Sequence, residues 1–401
     1  MSESGKIEAV IVAGARTPIG TAFKGTLRDT TAMELARVVL EEVQKRSGLE
    51  VSQIDDIILA ESNYGGGDIA RHAAVVAGML QVPGQAVNRH CAGSLTAIGN
   101  AAASVIAGAE RAVIAGGAQS TSTGPLQKFR TPGTVDEFTD KWMPPTHPDS
   151  AEAPNMDMSI TVGWNTAREA GITREEMDAW ALRSHERALA AIDSGAFADE
   201  IVPVQVLQSD GSVIEFSTDE HPRRGSTAEK LASLKVLHPE IEDFSITAGN
   251  ASGINDAAAA VAIVGSDLVA EAGLTPLAIV KSWAATAVDP ARTGLAVLDV
   301  IPKVLDRAGI SIADVGLWEI NEAFASVPVA ACKKLGIDES IVNTAGSGCS
   351  LGHPVAASGA RMVVTLMNEL RRRGGGFGVA AMCAGGGQAG AVVIEVPASK
   401  D

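Results

Sequence analysis

The sequence predicts an α/β fold made of two related halves with an inserted segment between them. Apolar, strand-like runs alternate with helical segments in both halves, which is typical of layered α/β units with a mainly parallel inner sheet. The order of elements repeats after about 260 residues, and this indicates an internal duplication. Aromatic residues make up only 3% of a chain rich in glycine and alanine, which favours helices packed tightly on sheets.

Each half contains the same succession of elements. An opening strand is followed by a helix that ends at a glycine, Gly48 or Gly309, and then by a second strand. A Val-Asn pair, at Asn88 or Asn343, next leads into another helix and an apolar strand. The corresponding ranges are 9–13 and 278–281, 32–59 and 297–320, and 87–115 and 342–382.

The segment between the halves has a different composition. Six prolines lie between residues 125 and 154, and a polar helix is predicted at 174–194. These features exclude a continuous sheet and predict an insertion that covers part of the molecule. The insertion is interpreted as a lid or ligand-binding region, with surface padding as the alternative. The expected parts are a first half at 1–120 and 251–275, a loop domain at 121–250, and a second half at 276–401.

Bulk properties argue against several classes of function. The formal charge of −16 argues against a nucleic-acid partner, because phosphate binding requires a basic surface. No apolar run is long enough to span a membrane, and the N-terminus lacks the apolar core of a signal peptide. The four cysteines have neither paired metal-ligand spacing nor the density of a disulfide framework. We therefore expect a cytoplasmic protein with free thiols and no metal site.

Cys91 is the first candidate for chemistry. It follows the residues at 87–90 and precedes small residues that begin a helix. Backbone N–H groups and the helix dipole at such a position favour the thiolate, which is the nucleophilic form of cysteine. The alternative is a buried cysteine that serves as a small hydrophobic side chain.

Three motifs nearer the C-terminus can complete a site with Cys91. His353, in a Gly-His-Pro turn, is predicted to take the Cys91 proton or to bind an oxyanion. Cys383 ends an apolar strand, where a thiol can exchange a proton with a substrate α-carbon, and the glycines at 385–387 can present N–H groups to an oxyanion. Asn321 also ends a strand, at the edge where polar side chains reach a site.

A local excess of positive charge offers a site for anions. Within the acidic chain, residues 219–235 carry four basic side chains, Arg223, Arg224, Lys230 and Lys235, with His221 among them and His238 nearby. This cluster is predicted to hold the phosphates of an anionic ligand, which the family resemblance described next implies is coenzyme A (CoA), and the alternative is a solvated helix face.

Taken together, these motifs resemble those of the thiolase family, the acyl-CoA C-acyltransferases. The resemblance spans the whole chain and implies a thiolase-like α/β fold of two βαβαβαββ halves in an α/β/α/β/α arrangement. It also implies an inserted loop domain that binds CoA, and assembly as a homodimer or homotetramer. The blocks that carry the resemblance, in order, are Asn-x-x-Cys at 88–91, Asn-Ala-Ser-Gly at 250–253, Asn-Glu-Ala-Phe-Ala at 321–325, Gly-His-Pro at 352–354 and Cys-x-Gly at 383–385.

The resemblance implies a role for each candidate in catalysis. Cys91 would be the acylated nucleophile, His353 its activating base, and Cys383 the acid and base at the substrate α-carbon. Asn321 would hold a water that forms one oxyanion hole with His353. The N–H groups of Cys91 and Gly385 would form the other oxyanion hole.

The resemblance further implies the substrates. Arg223 and Ser252 fall at CoA-contacting positions, so the partners are CoA and acyl-CoA, as substrates. The implied activity is CoA-dependent cleavage of 3-ketoacyl-CoA to acetyl-CoA and a shortened acyl-CoA, as in fatty-acid β-oxidation, or the reverse Claisen condensation. An acyl-Cys91 intermediate links the two steps, and neither a metal nor a redox cofactor is expected.

Three alternative functions stay open beside this one. They are an acetyl-CoA acetyltransferase specific for acetoacetyl-CoA, a condensing enzyme related to ketoacyl synthases, and an acyl-CoA-binding relative with weak turnover. A ketoacyl synthase generally needs two histidines with its cysteine, whereas Cys383 and the Asn-Glu-Ala-Phe block favour a thiolase. The chain departs from the family pattern at 92–94, 346–350 and 163–164, and Trp164 is expected to reshape the acyl pocket.

Overall fold

The first half of the chain alternates strands and helices as predicted. The computed structural model describes residues 6–62, 67–140, 142–208 and 210–398. Helix α1 begins after Thr31, whose side chain accepts the N–H of Glu34, and ends at Gly48 in the left-handed conformation that a C-terminal cap requires. The elements are β1 (Ala9–Arg16), β2 (Gly20–Thr21), α1 (Ala32–Ser47), β3 (Asp56–Ala60), α2 (Ile69–Val76), β4 (Gly84–Val87), α3 (Gly93–Ile106) and β5 (Ala112–Ser120).

The inserted segment contains helices and one small hairpin. A π-helix at Ser159–Trp164 runs directly into the next helix. The polar helix predicted at 174–194 is confirmed, and it begins with a capping box between Thr173 and Glu176. The elements are α4 (Asn165–Ala170), α5 (Arg174–Asp193), β6 (Val204–Leu207), β7 (Val213–Phe216) and α6 (Ala228–Ala232), with β6 and β7 paired to each other.

The second half repeats the order of the first, which confirms the predicted duplication. Strands and helices β1, α1, β3, α3, β5 and β8 correspond to β9, α8, β10, α11, β11 and β12, whereas the counterpart of β4 is a single bridge between Trp318 and Val342. After the inserted segment the chain completes the first half with β8 (Asn255–Gly265) and α7 (Ser266–Ala272). The elements of the second half are β9 (Ala278–Ala287), α8 (Val297–Ala308), β10 (Val315–Ile320), α9 (Ser326–Leu335), α10 (Gly348–Leu351), α11 (Ser358–Arg372), β11 (Gly376–Ala384) and β12 (Gln388–Val396).

The main sheet is mixed, and the expectation of a mainly parallel sheet is wrong. Its strand order is β10-β11-β12-β9-β1-β8-β5-β3-β4, with β2 beside β8. The parallel pairs within the described residues are β3–β4, β3–β5 and β10–β11. Strand β12 follows β11 through the tight turn at 385–387, which can only produce an antiparallel pair. Strand β8 returns from the insertion and runs antiparallel to both β1 and β5.

Three apolar clusters divide the molecule into five layers. Helices α3 and α11 lie in the central cluster with side chains from strands of both halves. Helices α1 and α2 cover the opposite face of the first-half strands, and α8 and α9 cover that of the second-half strands. The α/β/α/β/α arrangement is therefore confirmed.

Small residues keep the central layer thin. A Cβ on Gly99 of α3 would lie 2.7 Å from the Trp283 ring, and one on Gly359 of α11 would lie 2.7 Å from Leu95 Cγ. Backbone and side chain therefore approach closely where the two central helices meet each other and the strands.

Candidate active site

The starts of the two central helices place Cys91 and His353 at one end of the molecule. Cys91 lies just before α3, and His353 lies just before α11. The N–H of Ala360 donates to Ser94 Oγ at 3.0 Å, which joins the first turns of these helices. The segments that carry the two candidate residues are therefore held side by side.

The Cys91 thiol is partly exposed and lies beside two backbone N–H groups. The backbone N–H groups of Gly385 and of Cys91 itself hydrogen bond its sulfur and favour the thiolate. Burial has the larger effect and raises the pKa of the Cys91 thiol to about 11. The expectation of a stabilised thiolate is therefore wrong for the resting protein. Helix α3 begins only at Gly93, so Cys91 precedes it, and desolvation outweighs the two N–H groups.

Cys383 lies close to Cys91 at the end of β11. It is 2% exposed, and burial, together with the neighbouring Cys91 charge, raises the pKa of its thiol far above the ordinary value. In the turn that follows, the N–H of Gly387 donates to Thr293 Oγ1 at 3.0 Å. Gly387 also has a φ of 75°, in the region that favours glycine. The turn is thus fixed with the Gly385 N–H directed at Cys91.

His353 is buried, neutral and held in one orientation. Its Nδ1 lies 2.6 Å from Ser358 Oγ, and the Ser358 hydroxyl donates to the carbonyl oxygen of Pro354 at 3.0 Å. Because that hydroxyl proton is already used, Nδ1 carries the imidazole proton and donates to Ser358, and Nε2 is free to accept. Burial, with the charge of Arg361, lowers the pKa of His353 to about 4. The ring is therefore a neutral base at physiological pH.

Asn321 lies between His353 and Cys383. Its Nδ2 is 3.5 Å from His353 Nε2, and its backbone N–H donates to the carbonyl of Ala381, two residues before Cys383 on the adjacent strand. The side chain is fully buried, and its Oδ1 has no hydrogen-bond partner among the residues that the structure describes. Such an oxygen is costly unless a water or a ligand binds it.

An open groove of about 690 Å³ leads towards His353. Arg223, Ser252 and Lys24 are among the residues that line it, with apolar side chains beside them. The carbonyl of Gly253, next to Ser252, accepts the backbone N–H of His353 at 3.3 Å. The groove therefore connects a charged outer wall with the histidine.

The four basic residues predicted to act together are divided. Arg223 lines the groove, whereas Arg224 forms an ion pair with the exposed Asp193. Lys230 Nζ donates to the carbonyl of Gly225 at 2.6 Å. Of these three residues Arg223 is the one that lines the groove, and His221 lines it as well.

The part of the chain that the structure describes contains neither a metal-binding cluster nor a helix suited to cross a membrane. No group of three or more histidine, cysteine, aspartate or glutamate side chains is arranged to hold a metal ion. Among the helices in the described ranges, none combines the length and the apolar character that a membrane crossing needs.

Comparison with known proteins decides the family. Residues 9–267 match the thiolase N-terminal domain, and residues 274–396 match the thiolase C-terminal domain. The chain belongs to the thiolase family. It is 38% identical to the acetyl-CoA acetyltransferase of Pseudomonas aeruginosa, over 96% of this chain and 99% of that protein. It is 37% identical to the 3-ketoacyl-CoA thiolase of Bacillus subtilis, over 97% of this chain and 99% of that protein.

A solved structure supports the same conclusion. The crystal structure of the acetyl-CoA acetyltransferase of Bacillus anthracis aligns with a TM-score of 0.86 and 37% identity, over 98% of this chain and 99% of that one. The thiolase-like fold implied by the sequence is therefore confirmed.

Two serines of the departure at 346–350, Ser347 and Ser350, lie in a buried polar network beneath the site of this thiolase. Ser347 Oγ accepts from Arg361 at 2.9 Å, and Arg361 also pairs with Glu319 at 2.7 Å. Ser350 Oγ lies 2.7 Å from Ser184 Oγ of the loop domain. Burial raises the pKa of Glu319 to about 7, against the effect of Arg361. The substituted serines thus add hydrogen bonds between β10, α11 and the inserted segment.

The departure at 163–164 lies where the π-helix meets the second half. A Cβ on Gly163 would lie 2.8 Å from the Phe324 ring, so the backbone packs directly against that ring. Trp164 is partly buried, and its ring packs at a tilt on Phe244, with centroids 5.4 Å apart. Trp164 therefore packs within the inserted segment, next to the Asn-Glu-Ala-Phe block.

Several residues of the site were missed by sequence reasoning. Ser358 orients His353, and Asn255 Oδ1 accepts the His353 backbone N–H at 3.1 Å. His90 adopts a φ of 46°, and its N–H donates to Asn88 Oδ1 at 2.8 Å. This last interaction has a local signal, because an asparagine two residues earlier favours such a turn. The others join segments far apart in the chain and leave no local pattern.

Proposed function

We propose that this thiolase is an acyltransferase that cleaves 3-ketoacyl-CoA with CoA, giving acetyl-CoA and a shortened acyl-CoA, and that it catalyses the reverse condensation. The observation that carries the proposal is the meeting of two thiols, Cys91 and Cys383, beside the Gly385 N–H and near a neutral histidine. The names of the relatives, acetyl-CoA acetyltransferase and 3-ketoacyl-CoA thiolase, agree with this chemistry.

The first step is attack of Cys91 on the 3-keto carbon. His353 Nε2 takes the thiol proton, and the sulfur forms a bond to that carbon. Burial raises the pKa of the Cys91 thiol and lowers the pKa of His353, so a free thiolate–imidazolium pair is disfavoured in the resting site. Proton transfer is therefore coupled to attack, and the N–H groups of Cys91 and Gly385 stabilise the oxyanion that forms.

Carbon–carbon cleavage then releases acetyl-CoA. The electron pair of the broken bond moves onto the α-carbon and the thioester oxygen. The protonated His353 and a water bound to the unpaired Oδ1 of Asn321 donate to that oxygen. Cys383 delivers a proton to the α-carbon, and its raised pKa keeps it in the thiol form that this requires.

Transfer to CoA completes the cycle. The CoA thiol loses its proton to the Cys383 thiolate and attacks the acyl carbon on Cys91. The oxyanion of this second step occupies the same pair of N–H groups, from Cys91 and Gly385. Collapse breaks the bond to Cys91 and forms acyl-CoA, and His353 returns a proton to the Cys91 sulfur. CoA is thus a substrate, and no step uses a metal or a redox cofactor.

We also propose that the groove is the CoA site and that residues 121–250 form the loop domain that builds it, between halves at 1–120 with 251–275 and 276–401. Arg223 provides the positive charge for phosphate, and Ser252 provides a polar contact close to His353. The position of Arg223 in the groove and the contact between Gly253 and His353 support this assignment.

Assembly and location are further parts of the proposal. A homodimer or homotetramer is favoured by the free outer edge of β4, at the end of the described sheet, and by exposed apolar side chains on 125–143. The cysteines Cys91, Cys332, Cys349 and Cys383 are all free thiols, which favours a reducing compartment such as the cytoplasm. Analytical ultracentrifugation tests the assembly, and a monomer at micromolar concentration would contradict it.

The activity is tested with two substrates. Wild type and Cys91→Ala are incubated with CoA and either acetoacetyl-CoA or a long-chain 3-ketoacyl-CoA. Cleavage by wild type alone, with a mass shift on Cys91, is the expected result. Cleavage of acetoacetyl-CoA only would favour the alternative of an acetyl-CoA acetyltransferase with a narrow range. Binding of acyl-CoA without any acyl-Cys91 would refute the proposed activity and leave a binding protein with weak turnover.

A further inference from the structure

A short segment of the loop domain lies across the glycine turn of the active site. This segment, residues 144–153, is called the strap below. A Cβ on Gly385 would lie 3.2 Å from Thr146 Cγ2, and one on Gly386 would lie 2.9 Å from the Thr146 carbonyl oxygen. The His90 ring lies near the same position, with its Cγ 3.6 Å from the Cβ on Gly385. Gly385 therefore lies close to both Thr146 and the residue that precedes Cys91.

A histidine within the strap fixes the side chain of Thr146. His147 Nε2 lies 2.8 Å from the carbonyl oxygen of Ala153, and His147 Nδ1 lies 2.7 Å from Thr146 Oγ1. Because a carbonyl can only accept, Nε2 carries the proton of the neutral ring, and the bare Nδ1 accepts the Thr146 hydroxyl. This hydrogen bond favours one rotamer of Thr146, in which the methyl group lies 3.2 Å from a Cβ built on Gly385.

The strap is itself anchored at its far end. The N–H of Ala153 donates to Ser150 Oγ at 3.1 Å, and Asn165 Nδ2 donates to the carbonyl of Glu152 at 2.7 Å. Ala153 is 4% exposed, whereas most of the strap faces solvent. The imidazole of His147 is thus the internal cross-link between the anchored end of the strap and Thr146.

We propose that His147 is a positioning residue for thiolysis, which acts through Thr146 to hold the Gly385 N–H on the acyl oxygen of Cys91 and to keep water from that acyl group. The inference rests on the proposed function. The turn at 385–387 is fixed from below by Thr293, and the strap supplies the contact from above. An oxyanion donor must keep its place to within a fraction of an ångström to be effective.

Two consequences separate this role from a general structural one. Loosening of Thr146 displaces the Gly385 N–H, which lowers the rate of the chemical steps. It leaves CoA binding unchanged, because neither Thr146 nor His147 lines the groove. It also admits water to the acyl-enzyme. Water then attacks the acyl carbon and the bond to Cys91 breaks, so that a carboxylic acid and the free thiol are formed in place of acyl-CoA.

The test uses the full-length protein and acetoacetyl-CoA with CoA. His147→Ala and Thr146→Ser, which lacks the methyl group that lies over Gly385, are expected to lower kcat by about 10- to 100-fold with an unchanged KM for CoA. Both are expected to raise the ratio of free acid to acyl-CoA. His147→Asn offers an oxygen that can accept the Thr146 hydroxyl, and partial recovery of kcat is expected.

The matched control is Glu152→Ala on the same strap. The Glu152 side chain is exposed, and only its backbone carbonyl is used, so wild-type kinetics are expected. Wild-type kcat and wild-type product ratio in both His147→Ala and Thr146→Ser would overturn the inference, as would a change confined to KM for CoA. If His147→Ala does not fold, as judged by its circular dichroism, Thr146→Ser decides. Inactive wild-type protein would instead refute the proposed function.

Discussion

Replacement of Ser358 by alanine tests whether the orientation of His353 matters for acylation. In wild type, Ser358 Oγ accepts the His353 Nδ1 proton at 2.6 Å. In Ser358→Ala that proton has no acceptor in a buried site, which costs about 1–3 kcal/mol. The ring can relieve this cost by moving its proton to Nε2, but Nε2 then cannot take the proton from Cys91.

Either response of the ring raises the barrier to acylation. A cost of about 1–3 kcal/mol corresponds to a loss of about 5- to 150-fold in rate. We expect this loss in kcat and in the rate at which acyl-Cys91 appears after rapid mixing with acetoacetyl-CoA, as followed by quenched-flow mass spectrometry. The KM for CoA is expected to stay within twofold, because Ser358 does not line the groove.

Ser350→Ala is the matched control for Ser358→Ala. Ser350 is equally buried and bonds Ser184 of the loop domain instead of His353. We expect it to lower stability without slowing acylation. Wild-type acylation in Ser358→Ala, or an equal loss in Ser350→Ala, would show that the serine–histidine contact does not set the reactive form of the ring.

Three further predictions concern the groove, the loop domain and pH. Arg223→Ala is expected to weaken CoA binding and to reduce its dependence on salt, and calorimetry at two salt concentrations with unchanged affinity would contradict this. Trp164→Ala is expected to change the ratio of kcat/KM between short and long 3-ketoacyl-CoA, and an unchanged ratio would exclude a role in the acyl pocket. The neutral form of buried His353, with its pKa of about 4, stabilises the fold above pH 6.5, and this contribution is lost as pH falls towards 4. It amounts to on the order of 3 kcal/mol, whereas Glu319, with its pKa of about 7, acts in the opposite direction between pH 4.5 and 7. Urea unfolding from pH 7.5 to 4.5 should therefore show a smaller loss in His353→Asn than in wild type, and parallel curves would argue against a buried neutral ring.

The order of elements could be predicted from the sequence because its signals are local. Gly48 and Gly309 end their helices in the left-handed conformation, and apolar runs mark the strands. The direction of β8 could not be predicted in this way. It depends on where the chain returns after an insertion of more than a hundred residues with no regular periodicity. The numbers of parallel and antiparallel strand pairs in the sheet therefore depend on the course of the chain through the insertion.

The sequence predicted which residues form the site, but it did not predict how deeply they are buried or whether they are ionised. Cys91, Cys383 and Gly385 are brought together as expected, because all three lie at strand or helix ends on one side of the sheet. Cys91 is protonated because it is desolvated, and this desolvation depends on the tertiary structure, which a local sequence pattern does not reveal. Arg224 does not take part in the predicted anion cluster because it forms an ion pair with Asp193, which lies 31 residues earlier on another element.

The narrow central layer makes the reactivity of the two active-site cysteines depend on the small residues within that layer. Cys91 lies just before one of the two helices in that layer, and β11, the strand that carries Cys383, packs on the layer, so the separation between helix and strand contributes to the gap between the two sulfurs. Glycine and alanine keep that gap small, and only 3% of the chain is aromatic. Larger side chains at Gly99 or Gly359 would act as spacers and move the two reactive atoms apart while every active-site residue stayed in the chain. Glycines without a reactive side chain, such as Gly99 and Gly359, are therefore needed for the reaction, as are the residues that take part in it.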